Sequence, residues 1–217
     1  VASLDYLKEA ILLARKYNFI LAVDECYCDI FRMNRPKPPG ALEAAASLGK
    51  GLDKLIIFNS LSKRSNASGM RAGFIAGDKN IIESYKLLVS NGASPVPIPI
   101  QKVAASLYAD EEHHTKACIH YDKNFSIVEK YLKPFYKDFK LPDAGFFLWL
   151  KVKDDQHAAK ILWNKFSLRV MPGSFMGIDV QGFNPGKGFL RISLVDNKEV
   201  IEEAMKRIQL FLQSEIS

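Results

Sequence analysis

The stretch Phe19-Ile20-Leu21-Ala22-Val23-Asp24-Glu25-Cys26-Tyr27 decides the reading of the fold. Five apolar residues run without interruption and then break into charge at Asp24-Glu25. A continuous apolar run is how a strand reads when helices cover both faces of a parallel sheet. Upstream, Leu4, Leu7, Ile11, Leu12 and Ala14 share one helical face over residues 4–17, with Ser3 as the N-cap. Downstream, a Pro/Gly-rich loop at 34–40 leads to a helix near 41–48. Leu55-Ile56-Ile57-Phe58 is a second buried strand, which runs into Asn59-Ser60-Leu61-Ser62-Lys63. Gly73-Phe74-Ile75-Ala76-Gly77 is a third. Strands alternating with helices predict an α/β fold with a mostly parallel sheet flanked by helices.

Beyond the third strand, helices are expected over 79–90 and 99–109, with a proline-rich loop at 91–99 between them. A long, charged, amphipathic helix follows from 110 to 135, ending near Pro134. Strands at 145–152, 168–171 and 189–195, helices at 154–165 and 197–214, and a Gly/Pro-rich loop at 172–188 complete the chain. The first half reads as α/β and the second as a small α+β domain. The division is placed near residue 110, giving domains 1–110 and 111–217.

Composition narrows the function classes. The chain is 48% hydrophobic and 25% charged, as a globular protein is. No apolar run approaches the roughly 20 residues needed to span a bilayer, so no membrane is expected. The net charge of +6 is scattered rather than clustered, which favours an anionic ligand over nucleic acid. Three cysteines without a paired framework suit a reducing cytoplasm. Cys26 and Cys28 alternate as packing residues of a strand would. His113, His114, His120 and His157 show no metal-ligand spacing, the first three read as surface residues of the long helix, and no metal is expected. The abrupt start at Val1, without Met or a signal peptide, reads as a processed piece or a fragment.

Three polar clusters are expected just past the carboxyl ends of the strands, where open α/β sheets bind ligands. They are Asp24-Glu25-Cys26-Tyr27, Ser60-Leu61-Ser62-Lys63, and Arg71 within Gly69-Met70-Arg71-Ala72-Gly73. Each alone reads as a turn, a solvated side chain or a surface cation. Together they match the needs of a pyridoxal phosphate site. Such a site needs a lysine for covalent attachment and proton transfer. It needs a carboxylate to keep the pyridine nitrogen protonated. It needs hydroxyls and a guanidinium for the phosphate dianion, and a phenol for the ring oxygen. Asp24, Tyr27, Ser60, Ser62, Lys63 and Arg71 supply all of these.

These segments resemble class I/II aminotransferases of fold type I. Asp24-Glu25-Cys26-Tyr27 is similar to that family's Asp-x-x-Tyr strand end. Ser60-Leu61-Ser62-Lys63 with Gly69-Met70-Arg71-Ala72-Gly73 resembles its Ser-x-Ser-Lys…Gly-x-Arg-x-Gly segment. Gly145-Phe146-Phe147, Pro172-Gly173-Ser174-Phe175 and Phe189-Leu190-Arg191-Ile192-Ser193 resemble small-domain segments in the same order. The resemblance implies that Lys63 attaches the cofactor and acts as acid and base, that Asp24 pairs with the pyridine nitrogen and that Tyr27 bonds the ring oxygen. It further implies that Ser60, Ser62 and Arg71 hold the phosphate and that Arg191 clamps a substrate carboxylate. It also implies amino acid and keto acid substrates and a homodimer.

Within that family, Ser60–Asn66, Gly69–Asp78, Asp24–Ile30 and Pro38–Ala44 are similar to bacterial N-succinyldiaminopimelate aminotransferases of lysine biosynthesis. The rival readings are an aspartate, alanine or aromatic aminotransferase, and a catalytically lapsed relative serving as a binding or regulatory domain. Complete family members carry a preceding segment with further phosphate-binding and ring-stacking residues. The resemblance therefore implies a C-terminal part of the large domain plus the small domain, with an incomplete site in this chain alone.

Overall fold

A computed structural model of the chain describes residues 1–49, 51–92 and 95–216. It divides into two compact units, Val1–Cys118 with Asp143–Gly145, and Ile119–Pro142 with Phe146–Ser217.

In the first unit, α1 (Leu4–Lys16) starts where Ser3 Oγ accepts a hydrogen bond from the Tyr6 N–H at 3.2 Å. Asp5 in the first turn and Arg15 and Lys16 in the last complement the helix dipole. The helix buries Leu7, Ile11 and Ala14, whereas Leu12 is exposed. One residue past Ile11 is about 100° around the helix, so Leu12 leaves the apolar face assigned to it. β1 (Leu21–Asp24) is shorter than the apolar run, and Phe19 and Ile20 ahead of it are 45% and 54% exposed. It is an edge strand whose residues alternate between partly buried and exposed, so it is not covered on both faces as its composition predicts. α2 (Ala41–Ser47) follows Gly40, which has no side chain to cap it; Glu25 Oε1 accepts from the Ala41 N–H at 2.6 Å instead.

β2 (Leu55–Ser60) is the central strand and runs straight into a single helical turn, α3 (Leu61–Arg64). A 3-10 turn at Ser68–Met70 then leads to β3 (Gly73–Gly77). β1 and β2 are parallel, with Leu21 opposite Leu55 and Asp24 opposite Phe58. β2 and β3 are antiparallel, with Ser60 opposite Gly73 and Ile56 opposite Gly77. The sheet is thus half parallel rather than mostly so. Residues 61–72 hold too little helix to carry the chain back along the sheet, as a parallel crossover requires. Leu7 and Ile11 of α1, Ala41, Ala44 and Ala45 of α2, and Leu55 and Ile57 of β2 form the core.

Asp78 accepts from the Lys54 N–H at 2.9 Å and from the Asn80 N–H at 2.8 Å, which holds its carboxyl below the usual range. It stands at the start of α4 (Lys79–Gly92); α5 (Ile98–Ala109) follows. Neither helix has a buried residue among those described, and Leu87, Leu88 and Ile98 are exposed. The loop predicted at 91–99 narrows, because α4 reaches Gly92 and Pro99 fits within the first turn of α5, where its missing N–H costs nothing. Ala93 and Ser94 of that loop lie outside the described residues.

α6 (Glu112–Leu132) begins in the first unit and ends in the second, stopping at a 3-10 turn, Lys133–Phe135, that contains Pro134. The first unit runs on to Cys118, past the division placed near 110, because His114 and Cys118 both reach the Asp29 carbonyl. Asp143–Gly145 is counted with the same unit, where Ala144 bridges to Phe31.

The second unit contains β4 (Phe147–Lys151), α7 (Asp155–Phe166), β5 (Met171–Pro172), β6 (Phe189–Ser193) and α8 (Lys198–Ile216). Its sheet has the order β4-β6-β5 and is antiparallel throughout. The strand predicted at 168–171 shrinks to Met171–Pro172. Ser167 turns left-handed at φ 52° and the Leu168 N–H bonds back to the Leu162 carbonyl, so these residues finish α7. Phe125 and Val128 of α6, Leu148 and Leu150 of β4, Leu162 of α7 and Phe211 of α8 meet in one core. Among the described residues no helix is long and apolar enough to cross a membrane.

Phe125 is fully buried in that core. Phe125→Ala should lower unfolding stability by about 3–5 kcal/mol, read as a fall in the urea midpoint at unchanged slope.

Candidate active site

Three polar segments converge on one edge of the first sheet. Asp24 ends β1, Ser60 ends β2, and Arg71 lies two residues ahead of β3. Arg71 reaches this edge from the start of a strand rather than past a carboxyl end, because β3 runs antiparallel. That corrects the placement expected for it.

Ser60 does two things at once. Its backbone closes the strand pairing, and its Oγ caps α3 by accepting from the Ser62 N–H at 3.1 Å. The two hydroxyls are 2.9 Å apart, with Ser60 donating to Ser62. A strand running to Ser60 needs Gly73 opposite it. A Cβ on Gly73 would meet the Asn59 carbonyl oxygen at 2.2 Å, so only glycine allows this approach. Arg71 sits in the left-handed region at φ 51°, exposed, with Nη1 donating to the Ser68 carbonyl at 3.1 Å. A hollow of about 590 Å³ opens beside Ser60, Arg71 and Gly73, walled by Phe74 and Tyr85.

Lys63 is half-buried, and its Nζ lies 5.6 Å from the centroid of the Tyr27 ring. Tyr27 belongs to a turn, residues 26–29, that follows β1. Cys26 and Cys28 therefore lie in a turn and not in a strand. Asp24 is exposed and Oδ1 accepts from the Cys26 N–H at 2.9 Å, so the carboxylate shapes the turn that carries Tyr27. Burial pushes the Cys26 thiol up to about 11, its hydrogen bond to Asp24 and that residue's charge add to the rise, and the Lys63 cation opposes it. The same thiol thus lies within the fields of both the acid and the lysine. A second hollow, about 370 Å³, is lined by Asp24, Tyr27, Val23, Pro38 and Gly145.

Behind this edge is a polar layer that the sequence pattern does not single out. Asn59 Nδ2 donates to the Glu25 carbonyl and to Cys28 Sγ, both at 3.4 Å, and its Oδ1 accepts from the Tyr108 hydroxyl at 2.9 Å. Burial pushes the Tyr108 phenol up to about 12. His114, read from the sequence as a surface residue, is 4% exposed; its Nε2 faces the Asp29 carbonyl and its Nδ1 lies 3.2 Å from Glu111 Oε2. Arg191 is in the second unit. It stands on β6 opposite Trp149, with its guanidinium carbon 4.4 Å from the centroid of the Phe147 ring.

The chain matches the family described as aminotransferase class I and II over residues 1–208. It belongs to that family. Members typically use pyridoxal phosphate. An aminotransferase structure from Neisseria meningitidis Z2491 superimposes with a TM-score of 0.91 at 40% identity, over 97% of this chain and 54% of that one. Aminotransferase AspB from Helicobacter pylori 26695 does so at 0.87 and 29% identity, over 98% and 55%. LL-diaminopimelate aminotransferase 2 of Nostoc sp. is 28% identical over 213 residues, 96% of this chain and 52% of the relative. The chain spans about half the length of these relatives.

The raised pKa of Cys26 has a direct consequence. At pH 8 its thiolate fraction should be about 100-fold below that of an unperturbed thiol. Iodoacetamide alkylation followed by peptide mapping should find Cys26 slow in proportion, and a rate like that of free cysteine would contradict the burial described.

Proposed function

We propose that the chain carries the attachment lysine and much of the cofactor-holding surface of a pyridoxal-phosphate-dependent aminotransferase. The observation that supports this most is the juxtaposition of Lys63 with Tyr27 at an edge also bearing Asp24, Ser60 and Arg71. The donor set fits the cofactor: one amine, one carboxylate, one phenol, a pair of hydroxyls and an exposed guanidinium. Gly73 further keeps the backbone beside Ser60 and Arg71 free of a side chain.

When bound, pyridoxal phosphate supplies a protonated ring that draws electrons from the substrate α-carbon. Lys63 is the residue proposed to attach it and afterwards to move the α-proton on Nζ. Asp24 would hold a proton on the facing ring nitrogen through its negative charge. Tyr27 would donate from its phenol to the ring oxygen. Ser60, Ser62 and Arg71 would hold the phosphate dianion, the guanidinium giving the strongest of these bonds. Arg191 would bind the substrate α-carboxylate, with Phe147 holding its guanidinium plane.

For the substrate, we propose glutamate as donor and N-succinyl-2-amino-6-oxopimelate as acceptor, on the resemblance of Ser60–Asp78. The 28% identity to proteins named LL-diaminopimelate aminotransferase supports the same diaminopimelate skeleton and favours, as a second reading, the acceptor without the succinyl group. A keto-acid panel with glutamate, run on a protein containing this chain and the half its relatives also carry, separates the two. Preference for oxaloacetate, pyruvate or an aromatic keto acid would refute both, and cofactor binding without turnover would favour a lapsed binding domain. We also propose a cytoplasmic homodimer, on family resemblance.

Borohydride reduction of the cofactor-loaded protein should fix the cofactor on Lys63 and on no other lysine, as read by peptide mapping. Asp24→Ala should keep cofactor binding and lose at least roughly 100-fold in kcat. An adduct elsewhere, or near-normal turnover without Asp24, would overturn the assignment concerned.

A further inference from the structure

Arg64 follows Lys63 directly, yet the two cations have opposite surroundings. The Arg64 side chain is 5% exposed. Its Nη2 lies 2.6 Å from Glu111 Oε1 and donates to the Tyr108 carbonyl at 3.4 Å. Its Nη1 lies 3.5 Å from Asp29 Oδ1, and its Nε is buried without a hydrogen-bond partner among the described residues. A buried guanidinium is costly, and removing one of its partners is costlier still, so this geometry holds only as a set. Asp29 is itself largely buried and ends the turn that carries Cys26 and Tyr27. Glu111 and Tyr108 come from the junction of α5 and α6. One residue on, Ser65 Oγ lies 2.8 Å from His113 Nε2, whose Nδ1 is 2.9 Å from Asp110 Oδ2.

A single helical turn has no stability of its own, because nucleation fixes several dihedrals for one hydrogen bond. α3 has only Leu61–Arg64, so contacts made by its neighbours must set its direction. Leu61 anchors its start in the core and Arg64 its end. Ser60 fixes the cap. Lys63 lies between two clamped residues, and Asp29 makes the same guanidinium reach back to the turn bearing Tyr27.

We propose that Arg64 is a positioning residue: by tying α3 to Asp29 and Glu111 it fixes the direction of the Lys63 amine relative to Tyr27 and Asp24. This rests on the reading of Lys63 as the attachment lysine. Arg64 touches neither cofactor nor substrate in this account and acts through the helix it shares with Lys63.

The test uses a protein containing this chain and the half its relatives carry, loaded with pyridoxal phosphate. The variants are Arg64→Gln and Glu111→Gln, and the Glu111 side chain is 70% exposed, so its replacement leaves packing intact. The readouts are the visible circular dichroism per bound cofactor, which reports how rigidly the ring is held, together with kcat and KM. Both variants should bind cofactor and keep wild-type far-ultraviolet spectra, but lose visible ellipticity. Their kcat should fall on the order of tenfold through misorientation, with KM within about threefold. Wild-type ellipticity and kcat in a folded Arg64→Gln would overturn the proposal. If that variant precipitates, Glu111→Gln decides by the same criterion. A borohydride adduct away from Lys63 in the unmodified protein would instead sink the underlying reading, and so the two failures are told apart.

Discussion

The close approach of Gly73 to the Asn59 carbonyl is the constraint on which the sheet edge depends. It lets β2 and β3 pair as far as Ser60, so the strand's last residue is also the first cap of the following helix. Had the pairing stopped one residue earlier, Ser60 would have been free to take a loop conformation. The hydroxyl that now caps the Ser62 N–H would then have no fixed direction. One backbone contact thus specifies where a strand ends, where a helix begins and which side chains face the edge. The parallel partner adds the second coordinate. Asp24 stands opposite Phe58, so the turn after β1 opens beside the helix after β2, and Tyr27 meets Lys63 there.

How much of this is visible in the sequence depends on whether the cause is local. The helix capped at Ser3, the strand broken at Asp24, the apolar strand from Leu55, which pairs two residues past the expected Phe58 to Ser60, and the long helix stopped near Pro134 are local patterns, and the structure has them. The nearness of Asp24, Tyr27, Ser60, Ser62 and Lys63 also follows from local distances to the ends of two parallel strands, whereas Arg71 joins them from the start of an antiparallel one, which its sequence does not show. Burial is not local. Phe19 and Ile20 read as interior yet are exposed on the approach to an edge strand, since apolar composition does not say which neighbour covers it. His114 reads as surface yet is buried, and the burial of Arg64 has no sequence signal, because their partners, Asp29 and Glu111, are distant in sequence or on another element. The direction of β3 was equally hidden. It follows from how little helix fits in residues 61–72, a point of geometry and not of residue type.

The adjacency of Lys63 and Arg64 brings these levels together. A guanidinium cannot lose its proton in a protein, so burying it among carboxylates gives a permanent charge that can serve as an anchor. An ammonium can lose its proton, which is what the attachment role proposed for Lys63 calls for. Exchanging the two residues would put the guanidinium beside the turn carrying Tyr27 and the ammonium in the buried network. There the lysine's point charge would not span Asp29, Glu111 and the Tyr108 carbonyl, which the planar fork reaches from a single position. The order of the two cations in this turn therefore follows geometry: the planar fork faces inward to Asp29 and Glu111, and the Lys63 amine faces the turn carrying Tyr27.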